Sequence, residues 1–151
     1  MFWQLFYGGI VSLFNFGIHA VATGLIIQAT RHMVWRTKGY HAFIRIAALM
    51  FVTMGALMIA HVIEIAVWAA HYNWIGLDVK TANNFEFAFE NYTALGYGDA
   101  TPPEFWRLTG PITALNGLLL VGWSVAVIFE VMRMAEVQFE HLPIKGKKPR
   151  K

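Results

Sequence analysis

Residues 93–99 read Thr-Ala-Leu-Gly-Tyr-Gly-Asp and lie between two long apolar runs. The chemistry this string offers is that of its backbone. Gly96 and Gly98 admit φ > 0, so successive carbonyl oxygens can point inward along one line. Four such lines, from four copies of the chain, would enclose a column of oxygen cages that replaces the water around a bare cation.

A second group of residues could act through its side chains. His19, His61, Glu64 and His71 are ionisable and sit within apolar surroundings. In a bilayer such residues face protein or water and find a partner. His61 and Glu64 are three apart and share a helix face. Three readings are open: a hydrogen bond between helices, a metal or haem site built from all four, or a pH sensor. The last would titrate between about pH 5 and 8, and His61→Gln would abolish that dependence. A di-iron arrangement is disfavoured, because no Glu-x-x-His repeat occurs.

The elements that must position these residues follow from composition. The chain has 151 residues, 57% of them hydrophobic, and only 14% charged. Soluble domains carry roughly 25% charged residues. The apolar residues gather in runs long enough to cross a bilayer core of about 30 Å. An all-α integral membrane protein is the expected class. There is no cysteine, hence no disulfide framework and no thiolate metal site. The first apolar run has no Lys or Arg ahead of it, so a cleaved signal peptide is not expected.

Three spans are expected, over about residues 5–28, 42–70 and 104–134. Trp3, Tyr7, Trp35, Trp68, Tyr72, Trp74 and Trp106 fall near their ends, where interface-anchoring aromatics belong. Arg31, Arg36, Lys38 and Arg45 follow the first span, and five of the twelve basic residues lie in the last seven positions. The positive-inside rule therefore puts both stretches in the cytoplasm and the N-terminus outside. The basic tail suits anionic lipid better than nucleic acid. No span carries Arg at every third position, the pattern of a voltage sensor.

The 83–92 stretch, Asn-Asn-Phe-Glu-Phe-Ala-Phe-Glu-Asn-Tyr, is too apolar for a solvated linker and too short to span. A short re-entrant helix fits, since irregular backbone at membrane depth must be buried in protein or line a watery cavity. Thr101 and Glu104 have capping-box spacing, with Pro102 and Pro103 between them, and are expected to open the third span. Asn91-Tyr92-Thr93 is a glycosylation sequon in form only, since a glycan has no room there.

In this order (span, re-entrant helix, Gly-Tyr-Gly-Asp, span) residues 42–134 resemble the potassium channels with a single pore loop per subunit. Over residues 85–130 the resemblance is strong. The usual filter string of that family is Thr-Val-Gly-Tyr-Gly-Asp; Gly96, Tyr97, Gly98 and Asp99 match it, and Leu95 replaces a Val or Ile. Ala94 departs from it, standing where the family has a Thr whose hydroxyl completes the innermost ion site. Thr93 is one residue too early to take its place.

The resemblance implies three transmembrane helices plus a re-entrant pore helix and filter loop, assembled as a homotetramer around a central pore. The parts would be an N-terminal helix at 1–30, a basic cytoplasmic loop at 31–41, a pore module at 42–135 and a basic cytoplasmic tail at 136–151. It implies K+ bound by the backbone of Ala94, Leu95, Gly96, Tyr97 and Gly98, with Thr93, Glu90 and Asp99 in support. Glu90 would share a proton or a water with Asp99, or else face the outer vestibule. Gly117 is one residue short of the family's inner-helix glycine; it is a hinge or a small residue for close packing. Leu118, Val121, Val125 and Phe129 form a stripe at helical spacing that lines the cavity or packs helices, with Phe129 a candidate constriction. The function implied is passive K+ conduction in a cell membrane, that of a prokaryote for so compact a chain, with no enzyme activity and no cofactor beyond the permeant ion. The alternatives are a weakly selective monovalent cation channel, because of Ala94, and a haem or metal redox protein using the histidines.

Overall fold

The computed structural model describes residues 2–36, 41–77, 79, 83–96 and 101–140. Within them the chain forms α1 (Phe2–Arg36), α2 (Ala42–Trp74), α3 (Asn84–Tyr92), a single 3₁₀ turn (Glu104–Trp106) and α4 (Thr109–Glu140). Three helices are long and apolar enough to span a bilayer. Helix α2, with 33 residues, is ~50 Å long at 1.5 Å per residue, which exceeds the hydrocarbon thickness and requires tilt or protruding ends. The sequence reading of an all-helical membrane protein with a short extra helix before the Gly-rich string holds.

The bundle is built so that α2 and α4 each touch all the others. Helix α1 packs on α2 and α4, and α3 wedges between α2 and α4. The main apolar core gathers Ile65, Trp68, Ala69 and Tyr72 of α2 with Phe87, Ala88 and Tyr92 of α3 and Leu120 of α4. Two smaller clusters continue it along the helices, around Leu57 and Val127 and around Leu49 and Ala135. In α4 the buried positions Thr113, Asn116, Leu120, Ser124, Val127, Val131 and Ala135 recur at three- and four-residue spacing, the period of one helix face.

The structure packs the first span against α2 and α4 of its own chain. Gln4 clips its beginning to the start of α4: its amide nitrogen donates to the Phe105 carbonyl, and its Oε1 accepts from the Leu108 N–H at 2.8 Å. Lower down, Gly8 leaves room for Ile112.

Several local expectations change. Helix α1 runs on to Arg36, so part of the stretch expected as a loop at 31–41 is helical; nothing in Thr30–Arg36 breaks a helix, and a helix need not stop where the bilayer does. The capping box at Thr101–Glu104 does not form. Pro103 precedes the 3₁₀ turn without a side-chain cap, and α4 begins only at Thr109. Trp68 and Tyr72 are not interface anchors but fully buried. Their polar tips explain it: the Trp68 Nε1–H donates to Asn116 Oδ1 at 2.9 Å, and the Tyr72 hydroxyl meets Thr113 Oγ1 at 2.6 Å.

Candidate functional site

The short helix α3 starts cleanly. Asn83 has extended backbone and its side chain accepts from the Glu86 N–H at 2.8 Å, satisfying one of the orphan donors of the first turn. Phe87, Ala88 and Tyr92 face the core, whereas Phe85 and Phe89 face away from the chain.

Its end is a Schellman motif. The Leu95 N–H donates to the Glu90 carbonyl at 3.0 Å and the Ala94 N–H to the Asn91 carbonyl at 2.9 Å. Such an end needs a left-handed residue after the cap, a place usually held by glycine. Here it is Ala94, with φ 56°. Gly96 repeats the left-handed value, φ 59°. Thr93 turns its hydroxyl back onto the helix, donating to Phe89 O at 2.9 Å. Residues 93–96 are all exposed on the surface of the single chain, just beyond the C-terminal, negative end of the α3 dipole, where a cation is favoured. Tyr97, Gly98 and Asp99 lie outside the described residues, and with them the pairing of Asp99 with the half-buried Glu90.

Two small residues of α4 seat this end of α3. A Cβ on Gly110 would meet Asn91 Oδ1 at 2.6 Å, and one on Gly117 would strike the Tyr92 backbone carbonyl. Gly110 and Gly117 are seven apart, two helical turns, so both stand on one face. Asn91 also donates to the Phe87 carbonyl at 2.7 Å, which occupies the nitrogen a glycan would need. A different face of α4 is exposed on the chain. Leu118, Val121, Val125 and Phe129 are all exposed, Phe129 most of all at 65%, so packing within the chain does not account for that stripe.

Behind α3 lies a polar cluster drawing on all four helices. Glu64 and His19 are completely buried. His19 Nδ1 meets Glu64 Oε1 at 2.8 Å; His61 Nδ1 meets Glu64 Oε2 at 3.0 Å and the Tyr92 oxygen at 2.7 Å. The Tyr92 hydroxyl donates to Glu64 Oε2 at 2.5 Å. On the far side, Ser124 Oγ lies 2.9 Å from His61 Nε2 and 3.4 Å from His19 Nε2. Asn15 adds bonds of 3.1 Å to the Glu64 carbonyl and to Asn116 Oδ1.

The structure thus joins His19, His61 and Glu64 but not His71. The latter sits further along α2 among the rings of Trp68, Tyr72 and Trp74. The three joined residues offer donor atoms within 4.8 Å of one another. Those atoms already hold each other and Tyr92 at hydrogen-bond lengths, so the group is closed upon itself. Sequence reasoning missed Tyr92, Ser124, Asn15 and Asn116. The two asparagines carried a signal, since an amide inside an apolar span seeks a partner on another helix. Tyr92 and Ser124 carried none.

The sequence model of a family described as "Ion channel" matches residues 58–134. The match takes in the second half of α2, all of α3 and the Gly-rich string, and α4 as far as Met134. No curated protein and no solved structure matches the chain.

Proposed function

The chain belongs to the ion channel family, and from that premise we propose that it is one subunit of a homotetrameric potassium channel. The observation that carries this reading is the exposed backbone of residues 93–96, left-handed at Ala94 and Gly96, held at the negative end of α3. Four copies arranged about an axis bring four such strands together, with the Ala94–Gly98 carbonyls as the ion cages and Thr93, Glu90 and Asp99 behind them. The exposed stripe of α4, Leu118, Val121 and Val125, lines the cavity below, and Phe129 narrows its cytoplasmic end. Flux is passive, driven by the gradient alone, and the protein is not an enzyme. Its N-terminus faces outward and its basic tail the cytoplasm, where anionic lipid is its natural contact.

Ala94 supports a second reading, a weakly selective cation channel. Its methyl cannot supply the ring of hydroxyls that would complete the innermost cage. Cation flux into proteoliposomes under potassium or sodium gradients, with Gly96→Ala as control, tests both. Potassium flux abolished by Gly96→Ala supports the first reading. Equal fluxes of the two ions support the second, and absence of flux refutes both.

A further inference from the structure

With Glu64 ionised and Tyr92 donating to it, the hydrogen bonds of the polar cluster behind α3 set its proton count. An ionised carboxylate only accepts, so both His19 Nδ1 and His61 Nδ1 donate toward Glu64. Each imidazole, if neutral, then carries its proton on Nδ1 and presents a bare Nε2. Both Nε2 atoms converge on Ser124 Oγ, at 3.4 and 2.9 Å. Ser124 has a single hydrogen to give, so one Nε2 goes without a donor. One added proton repairs this: the protonated Nε2 donates to Ser124, and Ser124 donates to the other ring. The same proton brings the cluster to zero charge, one imidazolium against one carboxylate. Without it a lone negative charge is buried at membrane depth, and with two a positive one, both costly.

We propose that His19, His61, Glu64, Tyr92 and Ser124 form a binding site for one proton inside the membrane, and that its occupancy sets the position of α4. Among the described residues, the titratable side chains facing it are His19 from α1, His61 and Glu64 from α2, and Tyr92 from α3. Helix α4 brings Ser124 and the Trp123 ring, whose centroid is 5.4 Å from that of His19, within range to stabilise an imidazolium. Further along α4, Glu130 and Arg133 pair with each other at 2.6 Å, and Glu136 is exposed. When loaded, the site ties Ser124 to both α1 and α2. Ser124 is on the buried face of α4 and Val125 and Phe129 on its exposed face, so the tie draws α4 back from that face. Resting on the reading that this face lines the pore, the loaded state is the wider one, and flux falls as pH rises.

The test uses the full-length protein in liposomes with ¹⁵N-labelled histidine. Nitrogen NMR distinguishes imidazolium from neutral rings, and the single variants His19→Gln and His61→Gln assign the signals. Across a pH series one proton shared by the two rings is expected, lost as pH rises, with potassium flux declining at the same midpoint. Ser124→Ala, which removes no charge, should lower the proton affinity about tenfold and move the flux midpoint with it. Two neutral or two charged rings throughout would overturn the site. A titration with flux unmoved by pH would overturn the coupling to α4. A titration without flux at any pH would uphold the proton site and refute the potassium channel reading instead.

Discussion

Gly117 of α4 lies against the backbone carbonyl of Tyr92, the last residue of α3. A Cβ at Gly117 would overlap that carbonyl, so only glycine permits the approach. The contact couples the helix whose exposed face is the proposed cavity wall to the residue that precedes the Gly-rich string. It also gives Gly117 a packing role, beside which a hinge role is a separate proposal, for α4 runs unbroken through it.

Gly117→Ala forces α3 and α4 apart and should cost about 1–3 kcal/mol, the usual range for overpacking a close contact. Thermal unfolding in detergent alongside flux distinguishes the two roles. A fall in both reports the contact, whereas lost flux at unchanged stability reports a hinge.

Ala94 holds a left-handed conformation that costs an L-residue roughly 1–2 kcal/mol. Ala94→Gly relieves it, and a gain of about 1 kcal/mol is expected in the same unfolding measurement. Ala94→Thr restores the hydroxyl that the resemblance calls for and should raise the potassium-to-sodium permeability ratio. An unchanged ratio would remove Ala94 from the account of selectivity.

Asn116 Oδ1 accepts from both Trp68 and Asn15. Asn116→Leu leaves the Trp68 N–H unpaired and takes one of its two acceptors from the Asn15 amide, which keeps the Glu64 carbonyl. A loss of about 1–3 kcal/mol is expected, at the upper end of what polar contacts between membrane helices contribute. Trp68→Phe removes one donor only and should cost less.

Phe129 makes its case by exposure. Because it is unpacked within the chain, Phe129→Ala should leave subunit stability within about 0.5 kcal/mol, the usual effect at a surface position. If it constricts the pore, flux or single-channel open time rises. Unaltered flux would return it to lipid or to the subunit interface.

Glu90 stands half-buried on α3, four residues before Ala94. Glu90→Ala should shorten or lengthen open-state lifetimes if its carboxyl braces the filter. Lifetimes equal to those of the parent would place it in the outer vestibule.

How far the sequence reached can be judged residue by residue. The spans were legible because about twenty predominantly apolar residues match the length of a helix crossing the bilayer, which satisfies its own backbone. Helix α3 was legible because its length and polarity excluded the alternatives. The Gly-Tyr-Gly string was legible because glycine spacing acts through the backbone, which needs no partner to be recognised. His61 and Glu64 were legible as a pair, being one helical turn apart.

What stayed hidden depended on which helix met which. That His19 reaches Glu64, that Tyr92 and Ser124 close the same cluster, and that His71 stands apart are consequences of how α1, α3 and α4 pack on α2. Trp68 and Tyr72 read as interface aromatics because sequence sees only their distance from a span's end; packing gave their polar tips partners and buried them. The sequence by itself determined the periodic and local features, the helices and the backbone chemistry of residues 93–99. The tertiary structure alone decided the side-chain constellations, because contacts between residues 19, 64, 92 and 124 are set by helix rotation and register, and no spacing along the chain encodes those.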